Sequence, residues 1–149
     1  KKILKFQTMT MNQISIFLEN KFGRLSKILS ILRDENIKVI AATVADTSDY
    51  GILRIITTDQ QKAFKILTKN GVSANMNEVL AISLDSRIGQ LSDAIEKITK
   101  SGITIDYMYC FSLNQKSMLV LRSSNMDALN EVAHKFNMNC ISETDLINL

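Results

Sequence analysis

The sequence predicts an α+β protein built of two βαββαβ units in tandem, and three observations carry that prediction. A bulky apolar residue, glycine, any residue and leucine follow one another at Phe22-Gly23-Arg24-Leu25. They do so again, 66 residues on, at Ile88-Gly89-Gln90-Leu91. The same spacing lays apolar positions of the first half onto apolar positions of the second, and a repeat without register shift is a strong architectural signal. Each glycine also stands where an alternating run gives way to a helical one, which marks a strand-to-helix turn.

In chain order, Asn12 to Glu19 alternates, with Ile14, Ile16 and Leu18 on one face and Ser15, Phe17 and Glu19 on the other. That is the period of a half-buried strand. Leu25, Ile28, Leu29 and Leu32 then recur as one face of a helix that ends at Asp34-Glu35-Asn36. Ile37 to Thr47, rich in β-branched residues, predicts a second strand. The turn Ser48-Asp49-Tyr50-Gly51 leads into a third, Ile52 to Thr58.

Asp59 is placed to cap a second helix with Ala63, Ile66 and Leu67 inward, and Asn70-Gly71 to stop it. Val72 to Met76 completes the unit as a fourth strand, giving the split, ferredoxin-like order. The offset places the second unit's core at Leu80, Ile82 and Leu84, at Leu91, Ile95 and Ile98, at Ile103 and Ile105, and at Leu119 and Leu121. Its last helix carries Leu129, Val132, Ala133 and Phe136, and Asn139 to Ser142 is expected as its closing strand. Residues 1–11 read as an extension, 12–77 as the first domain and 78–149 as the second. Met76-Asn77-Glu78 joins the domains with no Gly, Ser or Pro-rich linker, so the sheets are expected side by side.

Composition narrows the function. With 46% hydrophobic and 22% charged residues the chain is globular rather than disordered. A compact fold of this length buries roughly 70% of its unfolded surface. A net charge of +3, dispersed along the chain, argues against nucleic acid, and no run approaches a membrane span. Lys1 to Thr8 do not read as a secretion signal, and Met9 or Met11 is a candidate true start. Cys110 and Cys140 read as reduced, partly buried thiols, which favours the cytoplasm, and His134 as a helix-surface residue without metal partners.

No Ser/His/Asp or Cys/His arrangement, GxxxxGK[ST] or GxGxxG is present, so the expectation is a protein without catalytic residues, metal or cofactor. Arg54 reads as an exposed or surface-paired arginine, and Tyr107 and Tyr109 share a face opposite Met108, so at least one of those two sets is expected in the core. What the glycine turns offer instead is backbone: φ values denied to other residues, open access, and first-turn N–H donors at the positive end of a helix dipole. Such a turn favours a carboxylate or another small anion.

The doubled unit, with Asn20-Lys21-Phe22-Gly23-Arg24-Leu25 and Asp85-Ser86-Arg87-Ile88-Gly89-Gln90-Leu91 at its turns, resembles the ACT domain, and in particular the stand-alone tandem ACT proteins of bacteria. The segments Ala45 to Arg54, Asp106 to Tyr109 and Ser124 to Asp127 are also similar to that subgroup. The resemblance implies a regulatory module of amino-acid metabolism that binds a free amino acid between paired domains. One site then combines Asn20, Lys21, Phe22, Gly23, Arg24 and Leu25 with Tyr107, Met108 and Tyr109. The other combines Asp85, Ser86, Arg87, Ile88, Gly89, Gln90 and Leu91 with Thr43, Val44 and Ala45. In each, turn amides take the α-carboxylate, and Asn20 or Asp85 accepts from the α-amino group. The family's usual proline before the glycine is here Phe22 and Ile88. The same resemblance admits a homodimer or an enzyme partner, and its alternative reading is a regulatory subunit that acts on a biosynthetic enzyme without a ligand of its own.

Overall fold

The computed structural model describes residues 9–19, 23–46 and 50–148. Its strands and helices are β1 (Thr10–Glu19), α1 (Arg24–Asp34), β2 (Val39–Asp46), β3 (Tyr50–Thr57), α2 (Gln60–Lys69), β4 (Ala74–Leu84), α3 (Gln90–Lys100), β5 (Tyr107–Leu113), β6 (Lys116–Arg122), α4 (Met126–Lys135) and α5 (Glu143–Ile147). They form two compact units, one of Asn12–Asn77 and one of residues 78–148 with 9–11. Residues 1–8 of the expected N-terminal extension lie outside the described residues, as do Ser48 and Asp49 of the turn before β3.

In the first unit β3 lies between β2 and β1, antiparallel to both. The start of β4 borders β1, and the Phe17 amide donates to the Ser73 carbonyl at 3.0 Å. Ile14 and Ile16 of β1 face α1 and α2 in one core with Ile28, Leu32, Leu53, Ile55 and Leu67. Phe17, on the opposite face of the strand, is exposed and stacks on Tyr50 at 4.7 Å between ring centroids.

The second unit repeats the plan with β6 between β4 and β5, and a core of Leu80, Ile82, Ile98, Leu119, Leu121 and Leu129. Burying each such Leu or Ile contributes on the order of 1.5–3 kcal/mol, so each cluster holds its own unit together.

Three polar devices set the helix ends. Asp59, Asn125 and Ser142 cap α2, α4 and α5 by accepting from Lys62, Ala128 and Asp145 amides, each at 3.1 Å. Left-handed residues end the long helices: Asn36, Gly71, Gly102 and Asn137, with φ of 58°, 76°, 81° and 52°. A buried Gln60 tightens the β3–α2 corner. Its Oε1 accepts from the Thr57 amide at 2.9 Å and hydroxyl at 2.7 Å, while its Nε2 donates to the Asn12 carbonyl at 2.8 Å.

The structure corrects several expectations. The strands foreseen at Val72–Met76 and from Leu80 are one unbroken strand, β4, because nothing between them supplies a turn residue with an unusual φ. The closing strand at Asn139–Ser142 shrinks to a bridge between Ile82 and Cys140, flanked by bonds of 2.8 Å from Ser83 to Asn139 and from Ile141 to Ala81. Ser142 then caps α5, which was not foreseen, although Ser142-Glu143-Thr144-Asp145 carries the spacing of a cap.

Leu25 and Leu29 were expected in the core but are each 38% exposed, and Leu91 is exposed likewise. Ile28 and Leu32, and Ala94 and Ile98, mark the centre of the buried face; the leucines sit on its flank. Neither side of β5 reaches the core either: Tyr107 and Tyr109 are half-buried and Met108 is exposed. Within its unit β5 pairs only with β6, so it is an edge strand with less packed around it.

Candidate functional site

Both glycine turns are built alike. Gly23 and Gly89 occupy the N-cap positions of α1 and α3 in the left-handed region, at φ 82° and 91°. An added Cβ at either would meet nothing within 4 Å, so it is the backbone angle rather than crowding that demands glycine. The glycine carbonyl accepts the first helical bond, from Lys27 at 3.0 Å and from Asp93 at 2.8 Å. Being glycines, these caps bring no side chain to the first turn. The other three helices of the described residues all have one. At α3 the amides of Leu91 and Ser92 find no acceptor among the described residues and are left to water or to a ligand; the residues that precede Gly23 lie outside the described ones.

In the first turn, Asn20, Lys21 and Phe22 lie outside the described residues; Gly23 is exposed, Arg24 half-buried and Leu25 exposed. The second turn is fully described. Asp85 meets Arg87 at 3.4 Å, with side chains 62% and 75% exposed, an ion pair that water and salt weaken. Ser86 and Gly89 are exposed, and Ile88 projects wholly into solvent. Gln90 is half-buried, and its amide donates to the Arg87 carbonyl at 3.3 Å, which leaves Leu91 and Ser92 to present the open amides. On the edge strands, Thr43 is half-buried while Val44 and Ala45 are exposed.

His134 is exposed on α4, and Cys110 and Cys140 are free, the first exposed and the second half-buried. Partial burial pushes both thiols above their ordinary value of 9.0, which keeps them protonated at neutral pH. Among the described residues no three His, Cys, Asp or Glu side chains gather as a metal ion would need. No described helix is long and apolar enough to cross a membrane.

Sequence reading missed one feature, a cavity of about 210 Å³ in the second unit, where Asp93 and Lys97 of α3 face residues 136–139. Their spacing of one helical turn was visible. The hollow beside them was not.

A doubled βαββαβ unit with an uncapped glycine turn opening each first helix defines a paired ferredoxin-like regulatory module. The chain belongs to the ACT domain pair family, which matches residues 9–149. It is 38% identical to protein BT0572 from Bacteroides thetaiotaomicron, whose structure superposes with a TM-score of 0.88 over 95% of this chain and 98% of that one. The regulatory subunit of aspartate kinase from Thermus thermophilus shares the fold at 12% identity and a TM-score of 0.59, over 87% of this chain and 93% of that one. Its counterpart from Thermus flavus does so at 15% identity and 0.58, with the same shares. No curated protein matches the chain.

Proposed function

We propose that this chain is a non-catalytic sensor that binds a free amino acid at its glycine turns and regulates amino-acid metabolism. The observation that carries the reading is the contrast in helix starts. Three other helices start with a capping side chain; Gly23 and Gly89 supply none, and at the fully described Gly89 turn backbone donors stand open at the positive end of a helix. The α-carboxylate is assigned to those amides, and the α-ammonium to Asp85 in the second turn and Asn20 in the first. Selectivity is assigned to Thr43, Val44 and Ala45 and to Tyr107, Met108 and Tyr109, which offer apolar and aromatic surface. The aspartate kinase regulatory subunits, which share the fold, lend support to this reading.

A thermal-shift screen against the twenty L-amino acids tests it. A ligand at 100 times its dissociation constant adds about 2.7 kcal/mol of stability, which is readily seen. Silence across the panel contradicts the reading.

A second reading, a module that docks on a biosynthetic enzyme, is favoured by one observation. The leucines Leu25 and Leu91, equivalent in the two repeats, both keep apolar surface in water at 38% and 39% exposure. Co-purification of such an enzyme together with a silent screen supports it over the sensor.

A further inference from the structure

The two units differ where α3 meets the chain after α4. In the first unit the helix position equivalent to Ala94 is Ile28, 66 residues earlier and 1% exposed, which fills the space against the sheet. In the second unit alanine leaves that space open, and Ala94 lines the cavity of about 210 Å³. The hollow suits a small organic molecule rather than a macromolecule.

Its walls are not neutral. Asp93 and Lys97, one turn apart on α3, both line it, together with the polar residues Ser83, Gln90, Asn137 and Asn139. An aspartate four residues before a lysine is spaced to close an ion pair across the turn. Among the described residues these two do not pair: the Lys97 ammonium lies 5.8 Å from the centre of the Phe136 ring instead. The neighbouring pair on the same helix, Glu96 and Lys100, does close, at 2.6 Å. At the corresponding places the first unit has Lys27, Ile31 and Asn70 for Asp93, Lys97 and Phe136, so the charge pair and the ring belong to the second unit alone.

We propose that this cavity, which adjoins the second glycine turn and shares Gln90 with it, is a second ligand site for a small zwitterion of the amino-acid class. One anion and one cation on the same wall match the ammonium and carboxylate of such a molecule. The apolar surface of Ala94, Met138 and Phe136 takes its side chain. Because Asp93 and Lys97 are exposed, binding is modest and weakens with added salt.

The test is an amide-resolved NMR titration of the full ¹⁵N-labelled chain with each of the twenty L-amino acids, and with propionate and ethylamine as probes that carry only one of the two charges. At least one amino acid is expected to move the amides of Ser83, Asn137 and Asn139 saturably, while propionate and ethylamine do not. Lys97→Met, a surface change that leaves the fold intact, is expected to weaken that binding about tenfold or more. Ala94→Ile, which restores the residue of the first unit, is expected to abolish it. The proposal is overturned if no amino acid moves those amides, or if the shifts persist unchanged in both variants. Shifts confined to Ile88, Gly89 and Leu91 retain the glycine-turn reading and remove this one; shifts confined to residues 137–139 and lost in both variants do the reverse.

Discussion

The two repeats agree where backbone geometry is decided and part where space is filled. All four long helices keep the 66-residue offset to the residue, α1 onto α3 and α2 onto α4. The left-handed glycines Gly23 and Gly89 correspond, and so do the caps Asp59 and Asn125. A positive φ or an orphan helix donor admits few residue types, so these positions change little. Packing positions admit many. Ile28 corresponds to Ala94, Gln60 to Met126, and Asn70 to Phe136. The contrast teaches that positions set by backbone geometry are held in common by the repeats, whereas positions that fill space are free to differ.

The largest effect expected from breaking this comparison is at Ile28. Ile28→Ala empties a buried position and should cost about 2–5 kcal/mol in urea unfolding. The second unit already lives with alanine there, and a loss under 1 kcal/mol would mean that the two units are filled alike after all.

Gln60→Ala comes next, at about 2–3 kcal/mol, since it leaves the buried Thr57 amide and hydroxyl without their acceptor. Met126→Ala, at the equivalent corner, should cost less. There the side chain of Met126 takes one weak polar contact, from the Ser123 amide to its sulfur at 3.4 Å.

The smallest effect separates the units by pH. Both thiols are in the second unit, and burial raises both above 9.0, so the unfolded chain loses these protons first. Their contribution is intact below that pH and is lost as pH rises through the folded values. The double variant Cys110→Ser, Cys140→Ala should flatten the fall of the urea midpoint between neutral and strongly alkaline pH; an unchanged slope contradicts it.

Much of this was legible in the residues. Ile14, Ile16 and Leu18 announced β1, Asp59 and Asn70-Gly71 bounded α2, and the doubled glycine fixed the offset from which the second unit follows. Other features were not legible, for physical reasons. Alternation in Val79 to Leu84 says that a strand is present but not where it begins, so its fusion with residues 74–78 went unseen. Leu25 and Leu91 look like core by period alone, because a helical stripe does not say how wide the covering surface is. The cavity escaped because an offset of 66 finds likeness, and the cavity is made by an unlikeness, alanine for isoleucine.

The central claim, that the glycine turns hold the amino acid, is tested most directly by titration calorimetry with a ligand from the screen, comparing Gly89→Val with Gly23→Val. Valine at φ 91° or 82° displaces the turn it occupies and little else. Each change should remove the heat of its own site and spare the other, so that Gly89→Val abolishes binding at the Asp85 turn while Gly23→Val leaves it intact. Equal losses from both changes, or no loss from either, would contradict the account.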